Sequence, residues 1–265
     1  MYEFSYHKPS SIADAARMLA ADPDARAISG GMTLLPALKL RLNKPTSLVD
    51  LSGIAELRGV RREGNSIVIG ALTKHYEVAT SAEVKAAIPA LARMAHTIGD
   101  TQVRNRGTMG GSVANNDPSA DYPAALLALG GTIQTDKRRI AADDFFQGMF
   151  ATALDTGEIV TAIHIPVPDK AGYAKMRNPA SRYSMTGVFV AKGPAGVRVA
   201  ANGAGANGAF RVTQMEAALS TNWSPDAVAG IRLDSGMMNG DIHGSAEYRA
   251  HLVTVMAKRA VADAG

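Results

Sequence analysis

Thr108-Met109-Gly110-Gly111-Ser112-Val113-Ala114-Asn115 places a hydroxyl, a Gly-Gly pair, a second hydroxyl and an amide in close succession. It lies inside Gly99 to Ser119, a run rich in Gly, Asn, Asp and Thr without periodicity, which predicts one long loop. Loops of that length inside a compact domain are usually functional. Upstream, and so first in the chain, stands another Gly-Gly element, Ser29-Gly30-Gly31-Met32-Thr33-Leu34-Leu35-Pro36. Ala27-Ile28 predicts a short buried strand feeding it, and Leu34 to Arg41 a helix with Pro in its first turn, where Pro is tolerated. The amides of such a joint point outward together and suit an anion such as phosphate. Two glycines allow close backbone approach and positive φ, and the Thr33 hydroxyl is free to cap the helix or to donate to the anion. On spacing alone, the Ser29 element reads as an ordinary strand–turn–helix joint, and for the Thr108 element a loop whose polar residues satisfy its own backbone stays open as the alternative. Together they suit a long dinucleotide clamped between them, with Asn115, Asn116 and Asp121 for its sugar hydroxyls.

Outward from these elements the chain reads as mixed α and β. Ser10-Ser11-Ile12-Ala13-Asp14 predicts a helix start with a hydroxyl cap, running through Leu19 to about Asp22-Pro23-Asp24. Leu48 to Leu51 and Ser66 to Gly70 predict strands. Thr73 predicts the cap of a short helix through Val78, and Ile88 to His96 a further helix. Pro123 to Leu129 reads as an apolar helix, Thr132 to Thr135 as a strand and Glu158 to Ile165 as a β-rich run. Pro166-Val167-Pro168 is the best domain boundary. Beyond it, Gly172 to Lys175, Val188 to Val190 and Val197 to Val199 predict strands. Helices follow near Gln214 to Leu219 and from Ser245 onward, the last with Tyr248, Leu252, Val255 and Met256 on one face and Lys258 and Arg259 near its C-terminal end. Asn178 to Ser184 is a polar turn carrying an aromatic, placed to reach across a cleft between the two parts or simply to lie at the surface.

Composition removes several chemistries. The chain has 265 residues and no cysteine, so it holds no disulfide, no Cys nucleophile and no cysteine-ligated iron–sulfur cluster. Its six histidines never pair at i, i+4, which excludes a helical zinc motif. Net charge is +4, and the short basic clusters Arg61-Arg62 and Lys137-Arg138-Arg139 lack aromatic interleaving, so they read as solvated faces rather than a nucleic-acid site. No apolar run is long enough to span a bilayer and Met1 to Ser5 has no signal-peptide pattern, which sets the expectation of a cytoplasmic chain. Gly203-Ala204-Gly205-Ala206-Asn207-Gly208 fits G-x-G-x-x-G. Trp223-Ser224-Pro225-Asp226 stands where the acid of a Rossmann unit belongs, so the run reads as a Gly/Ala-rich connection.

Taken together, the segments resemble the medium, FAD-binding subunits of the molybdenum hydroxylases, including the carbon monoxide dehydrogenase medium subunits and the flavin domains of the xanthine dehydrogenase group. Ser29 to Pro36 resembles the first pyrophosphate loop of that family and Ile98 to Ser112 the second. Asp117 to Ala124, Pro179 to Tyr183 and Asp241 to Arg249 continue the resemblance. It implies an α+β fold: a two-part FAD-binding domain of the vanillyl-alcohol-oxidase (PCMH) type at 1–170, with subdomains of about 1–55 and 56–170, and a small α+β domain at 171–265. It further implies that Ser29, Gly30, Gly31, Met32, Thr33 and Leu34 meet the FAD diphosphate from one side and Thr108, Gly110, Gly111, Ser112 and Asn115 from the other, largely through backbone donors. Asp121 would take a ribose or ribityl hydroxyl, the backbone of Ile159 or Val160 a ring edge, Lys175 the polar face of the flavin, and Tyr183 the isoalloxazine. The implied role is electron transfer by non-covalent FAD. Molybdenum cofactor would sit in a large partner subunit and [2Fe–2S] clusters in a small one, in a dimer of heterotrimers. A stand-alone flavin oxidase of the same fold and a non-catalytic nucleotide-binding module are the alternatives.

Overall fold

The computed structural model describes residues 1–265. The first sheet is parallel. Strand β1 (Ser5–His7) leads through helix α1 (Ile12–Ala21) to β2 (Arg26–Ile28), and through α2 (Leu34–Lys39) to β3 (Ser47–Asp50), with β3 in the middle. Ser11 caps α1 through the Asp14 amide, as its sequence predicts. The expected burial of Ala27-Ile28 does not hold. β2 is an edge strand with Ala27 exposed and Ile28 half-buried, because its free side forms a cleft wall.

The second sheet is antiparallel, built from β4 (Val60–Glu63), β5 (Ser66–Gly70), β6 (Thr132–Thr135), β7 (Arg139–Ala141) and a later strand, Val160–Pro166, which pairs between β5 and β6. Helices α3 (His75–Thr80), α4 (Ala82–Ala87), α5 (Pro89–His96), α6 (Thr101–Arg104), α7 (Met109–Asn115) and α8 (Asp121–Leu129) occupy the long excursion between β5 and β6. The predicted loop over Gly99 to Ser119 is therefore two short helices, each with a side-chain cap. Asp100 accepts from the Val103 amide and Thr108 from the Gly111 amide, and capping lets short polar segments coil where no apolar period signals them. Thr73 caps nothing: its hydroxyl bonds the backbone of Gly59, and Lys74 stands at the helix start.

After α9 (Ala142–Phe145), a separate two-stranded ribbon, β8 (Phe146–Gly148) and β9 (Ala151–Thr152), precedes β10 (Val160–Pro166). The third sheet follows in simple order: β11 (Lys170–Arg177), β12 (Ser184–Gly193), β13 (Gly196–Asn202) and β14 (Phe210–Arg211). Helices α10 (Thr213–Thr221), α11 (Pro225–Ala229) and α12 (Ala246–Asp263) complete the chain. The run Gly203 to Gly208 connects β13 to β14 and opens no helix. No helix is long and apolar enough to cross a membrane.

Strand alternation explains how the third sheet is held. Phe189 and Ala191 pack into the core of the second sheet, while Val188 and Val190 pack into the core under α12. A strand buried on both faces reads as a continuous apolar run, as β12 does. Helix α8 is buried at every residue and fills the layer between the second and third sheets, consistent with an all-round apolar helix. On α12 the buried face comprises Ala250, Leu252, Val253, Met256, Ala257, Ala260 and Val261. Tyr248, expected on it, is exposed, and the helix extends past Lys258 and Arg259 to Asp263.

Two contacts set the tolerances of this packing. Gly172 on β11 lies so close to α12 that a Cβ would overlap the Ala260 carbonyl oxygen. Arg138, expected to be a solvated charge, instead grips Glu158, whose carboxylate also accepts from Thr135 and the Asp155 amide. These bonds, the Arg138 guanidinium foremost, hold the Glu158 carboxyl at about 2. Gly172→Ala should lower stability by about 2 kcal/mol, read from the urea midpoint, because backbone on both sides leaves no room to relax. Glu158→Gln should cost about 2 kcal/mol at neutral pH, reduced by the solvent exposure of Arg138. A carboxyl depressed from 4.5 to about 2 contributes fully above pH 4.5 and loses its contribution as pH falls through about 2. The difference between wild type and variant should shrink over that window.

Candidate cofactor site

A cleft of about 650 Å³ opens where the first sheet, the second sheet and the turn before β12 meet, a volume suited to a cofactor-sized ligand. Both Gly-Gly elements line it, and they touch. A Cβ on Gly30 would overlap the Arg106 carbonyl oxygen and lie 2.7 Å from the Gly107 Cα, so here backbone lies directly on backbone. Beside this contact the Thr108 hydroxyl donates to the Ser29 hydroxyl at 3.1 Å. A Cβ on Gly111 would stand 2.6 Å from the Ser29 Oγ. The glycines are there because nothing larger lets the two elements close.

The two elements differ in what they offer. Gly31 takes φ 71 and its carbonyl accepts from the Leu35 amide, which starts α2. The amides of Gly30, Gly31, Met32, Thr33 and Leu34 donate to no group of the chain, and the Thr33 hydroxyl makes no capping bond. Five consecutive free amides beside a hydroxyl form a cradle for an anion. In the second element four successive amides are occupied: Met109 donates to the Thr73 carbonyl, Gly110 to Ala71, and Ser112 and Gly111 to the Thr108 carbonyl and hydroxyl. The expectation that Gly111 and Ser112 present backbone donors is thus corrected. The Thr108 cap that closes the start of α7 takes those donors, and the cleft is lined here by Gly110 and Gly111, which allow close approach, and by the side chains of Thr108, Ser112 and Asn115.

The other expected residues divide. Ser29 through Leu34, Asp121, Ile159, Val160 and Tyr183 all line the cleft, and Lys175 does not. Its ammonium lies 2.9 and 3.0 Å from the two carboxylate oxygens of Asp121, both side chains are buried, and the Tyr173 hydroxyl donates to the same carboxylate. Asp121 therefore reaches the cleft wall with its charge already met. The Ile159 backbone is also engaged, its amide donating to the Asp136 carboxylate and its carbonyl accepting from the Asp136 amide. Of the two edges expected to face a ring, the one at Val160 remains. Tyr183 stands at the rim, about half exposed, and partial burial with the nearby Asp117 carboxylate pushes its hydroxyl up.

Other lining residues gave no signal in the sequence. His75, at the start of α3, is buried against the Tyr122 ring and its Nδ1 has no partner. Burial and the Arg104 charge hold it at about 4, so it is neutral at pH 7. Arg26 and Ile28 on β2, Glu158 and Phe150 at the ribbon tip also face the cleft. Each belongs to an element whose route into the site depends on tertiary packing.

Residues 2–168 match the family described as the FAD binding domain in molybdopterin dehydrogenase. The chain is 35% identical to the carbon monoxide dehydrogenase medium chain of Afipia carboxidovorans, over 97% of this chain and 95% of that one. It is also 35% identical to the glyceraldehyde dehydrogenase medium chain of Sulfolobus acidocaldarius, over 97% of each. A chain of the reconstituted CO dehydrogenase from Oligotropha carboxidovorans superimposes with a TM-score of 0.92 at 33% identity, covering 99% of this chain and 98% of that one. The free-amide cradle and the glycine-tight wall opposite it fit a diphosphate-bearing cofactor, and the α+β architecture agrees with these relatives. With site, fold and full-length similarity in accord, this chain belongs to the medium, FAD-binding subunits of the molybdenum hydroxylases, the oxidoreductase family to which those medium chains belong.

Proposed function

We propose that this chain carries electrons: FAD held without a covalent bond in the cleft takes them from [2Fe–2S] clusters of a small partner subunit and yields them to an external acceptor, while molybdenum cofactor in a large subunit oxidises the substrate. The observation that carries this reading is the run of free amides from Gly30 to Leu34 opposite Gly110-Gly111, in a chain with no cysteine. The cofactor supplies reversible two-electron uptake. The protein supplies binding and exclusion of water. Gly30 to Leu34 hold the diphosphate, Thr108, Ser112 and Asn115 offer side-chain donors across from it, and the edge at Val160 meets a ring. The Asp121–Lys175 pair acts here as a strut: it joins α8 to β11 and keeps the cleft wall in register with the turn that carries Tyr183. The non-covalent state is supported by the absence of cysteine.

In this reading 1–170 is the FAD-binding domain, with its two sheet-bearing parts meeting at the cleft, and 171–265 is the second domain, contributing the Ser181 to Tyr183 rim. The assembly is a dimer of heterotrimers in the cytoplasm. The small subunit docks over the cleft mouth between the segment from Ile98 to Arg106 and the second domain, and the identity of the substrate resides in the large subunit.

Two outcomes test this. Gly30→Ala should force the two Gly-Gly elements apart and strip the flavin, measured as yellow colour released by acid precipitation per mole of protein, while circular dichroism stays native. Substrate added to the isolated chain should leave its flavin oxidised, and addition of the cluster-bearing and molybdenum subunits should bleach it. Bleaching in the isolated chain would instead make it a self-sufficient oxidase.

A further inference from the structure

The ribbon β8–β9 belongs to none of the three larger sheets, and its tip, Met149-Phe150, is held in an unusual way. Phe150 lines the cleft and yet is 57% exposed. Its backbone has φ 55, a left-handed conformation that is disfavoured for a bulky residue. The residue that imposes it is Asn116, which is buried and itself left-handed at φ 45. The Asn116 carbonyl accepts from the Phe150 amide at 3.1 Å, and its side-chain Nδ2 donates to the Gly148 and Ala151 carbonyls at 2.7 and 2.8 Å. Asn116 also terminates α7, whose first turn carries Thr108 to Gly111. One short helix thus presents a Gly-Gly element at one end and grips the ribbon tip at the other.

Tyr183 lines the same cleft and is 53% exposed, and it follows Arg182, which is left-handed at φ 62. The Tyr183 hydroxyl lies in the field of Asp117, the residue next to Asn116. Two aromatics on separate strained turns therefore border one opening. Strain and solvent exposure of a large apolar ring both cost stability, and such combinations concentrate at ligand clamps. Phenylalanine has no polar atom with which to meet a diphosphate or a sugar hydroxyl. Its ring can contribute only an apolar π face or edge, which suits a planar heteroaromatic group.

We propose that Phe150 contacts the isoalloxazine ring and, with Tyr183, forms a two-sided aromatic lip on it, and that Asn116 is the positioning residue that sets the lip. This rests on the reading of the cleft as the FAD site. The test is a FAD titration of the purified chain, following affinity and the emission of the bound flavin. Phe150→Ala should weaken binding about ten-fold, the size of one ring–aromatic stack, and should raise the emission of bound flavin. Phe150→Tyr should restore both. Asn116→Asp keeps a residue that tolerates the left-handed backbone and removes the amide donor, and should shift both readouts in the same direction as Phe150→Ala. Phe150 is exposed, so its truncation leaves the core intact. Unchanged affinity and emission in Phe150→Ala, with wild type binding FAD, would overturn the lip alone. Loss of assembly with the partner subunits in that variant, without change in the flavin, would make the tip a protein-docking element and overturn the lip as well. Wild type that takes up no FAD would overturn both the lip and the reading of the cleft.

Discussion

Backbone contact between Gly30 and the Arg106–Gly107 peptide is the constraint on which the rest of the site depends. It brings the turn that follows β2 of the first sheet against the turn that precedes α7, a helix packed on the second sheet, and both turns line the cleft. The Thr108–Ser29 hydroxyl pair and the narrow gap above Gly111 lie alongside that contact and depend on it. A side chain at Gly30 would act on the junction of two sheets, well beyond a local turn.

The junction also explains a division of labour between two similar-looking motifs. An amide can either anchor an element or face a ligand. In the second element the amides of Met109 and Gly110 fasten α7 to the Ala71 and Thr73 carbonyls, and those of Gly111 and Ser112 close the helix start. That anchoring makes the second element a rigid wall. The first element hangs from an edge strand and is fastened chiefly through its glycine contact, which leaves its amides available. Rigidity on one side and unengaged donors on the other make a preorganised anion site.

The buried polar cluster behind the cleft serves the same end. Asp121, Lys175 and Tyr173 join α8 to β11, in the layer where Phe189 and Ala191 of β12 enter the core of the second sheet. Buried ion pairs contribute little net stability against an apolar alternative, but removing one partner is strongly destabilising. The pair therefore favours one seating of the third sheet over others. That seating sets where the turn before β12, with Arg182 and Tyr183, stands relative to the cleft.

The sequence by itself determined the elements whose cause is local. The Ser11 cap, the apolar helix over Pro123 to Leu129, which the structure extends back to Asp121, the strand Ser66–Gly70 and the long final helix follow from capping and periodicity, and the two Gly-Gly elements were legible as a pair suited to a dinucleotide. The absence of cysteine settled that no cluster is ligated by thiols here. Tertiary structure decided which amides stay free, because that depends on carbonyls at Ala71 and Thr73 that lie far from Gly111 in the chain. It also decided that Lys175 faces Asp121 rather than the cleft, that the Ile159 backbone is taken by Asp136, and that His75 and Phe150 enter the site. Local sequence specifies what a residue can donate or accept, and only the packed fold specifies which partner reaches it first.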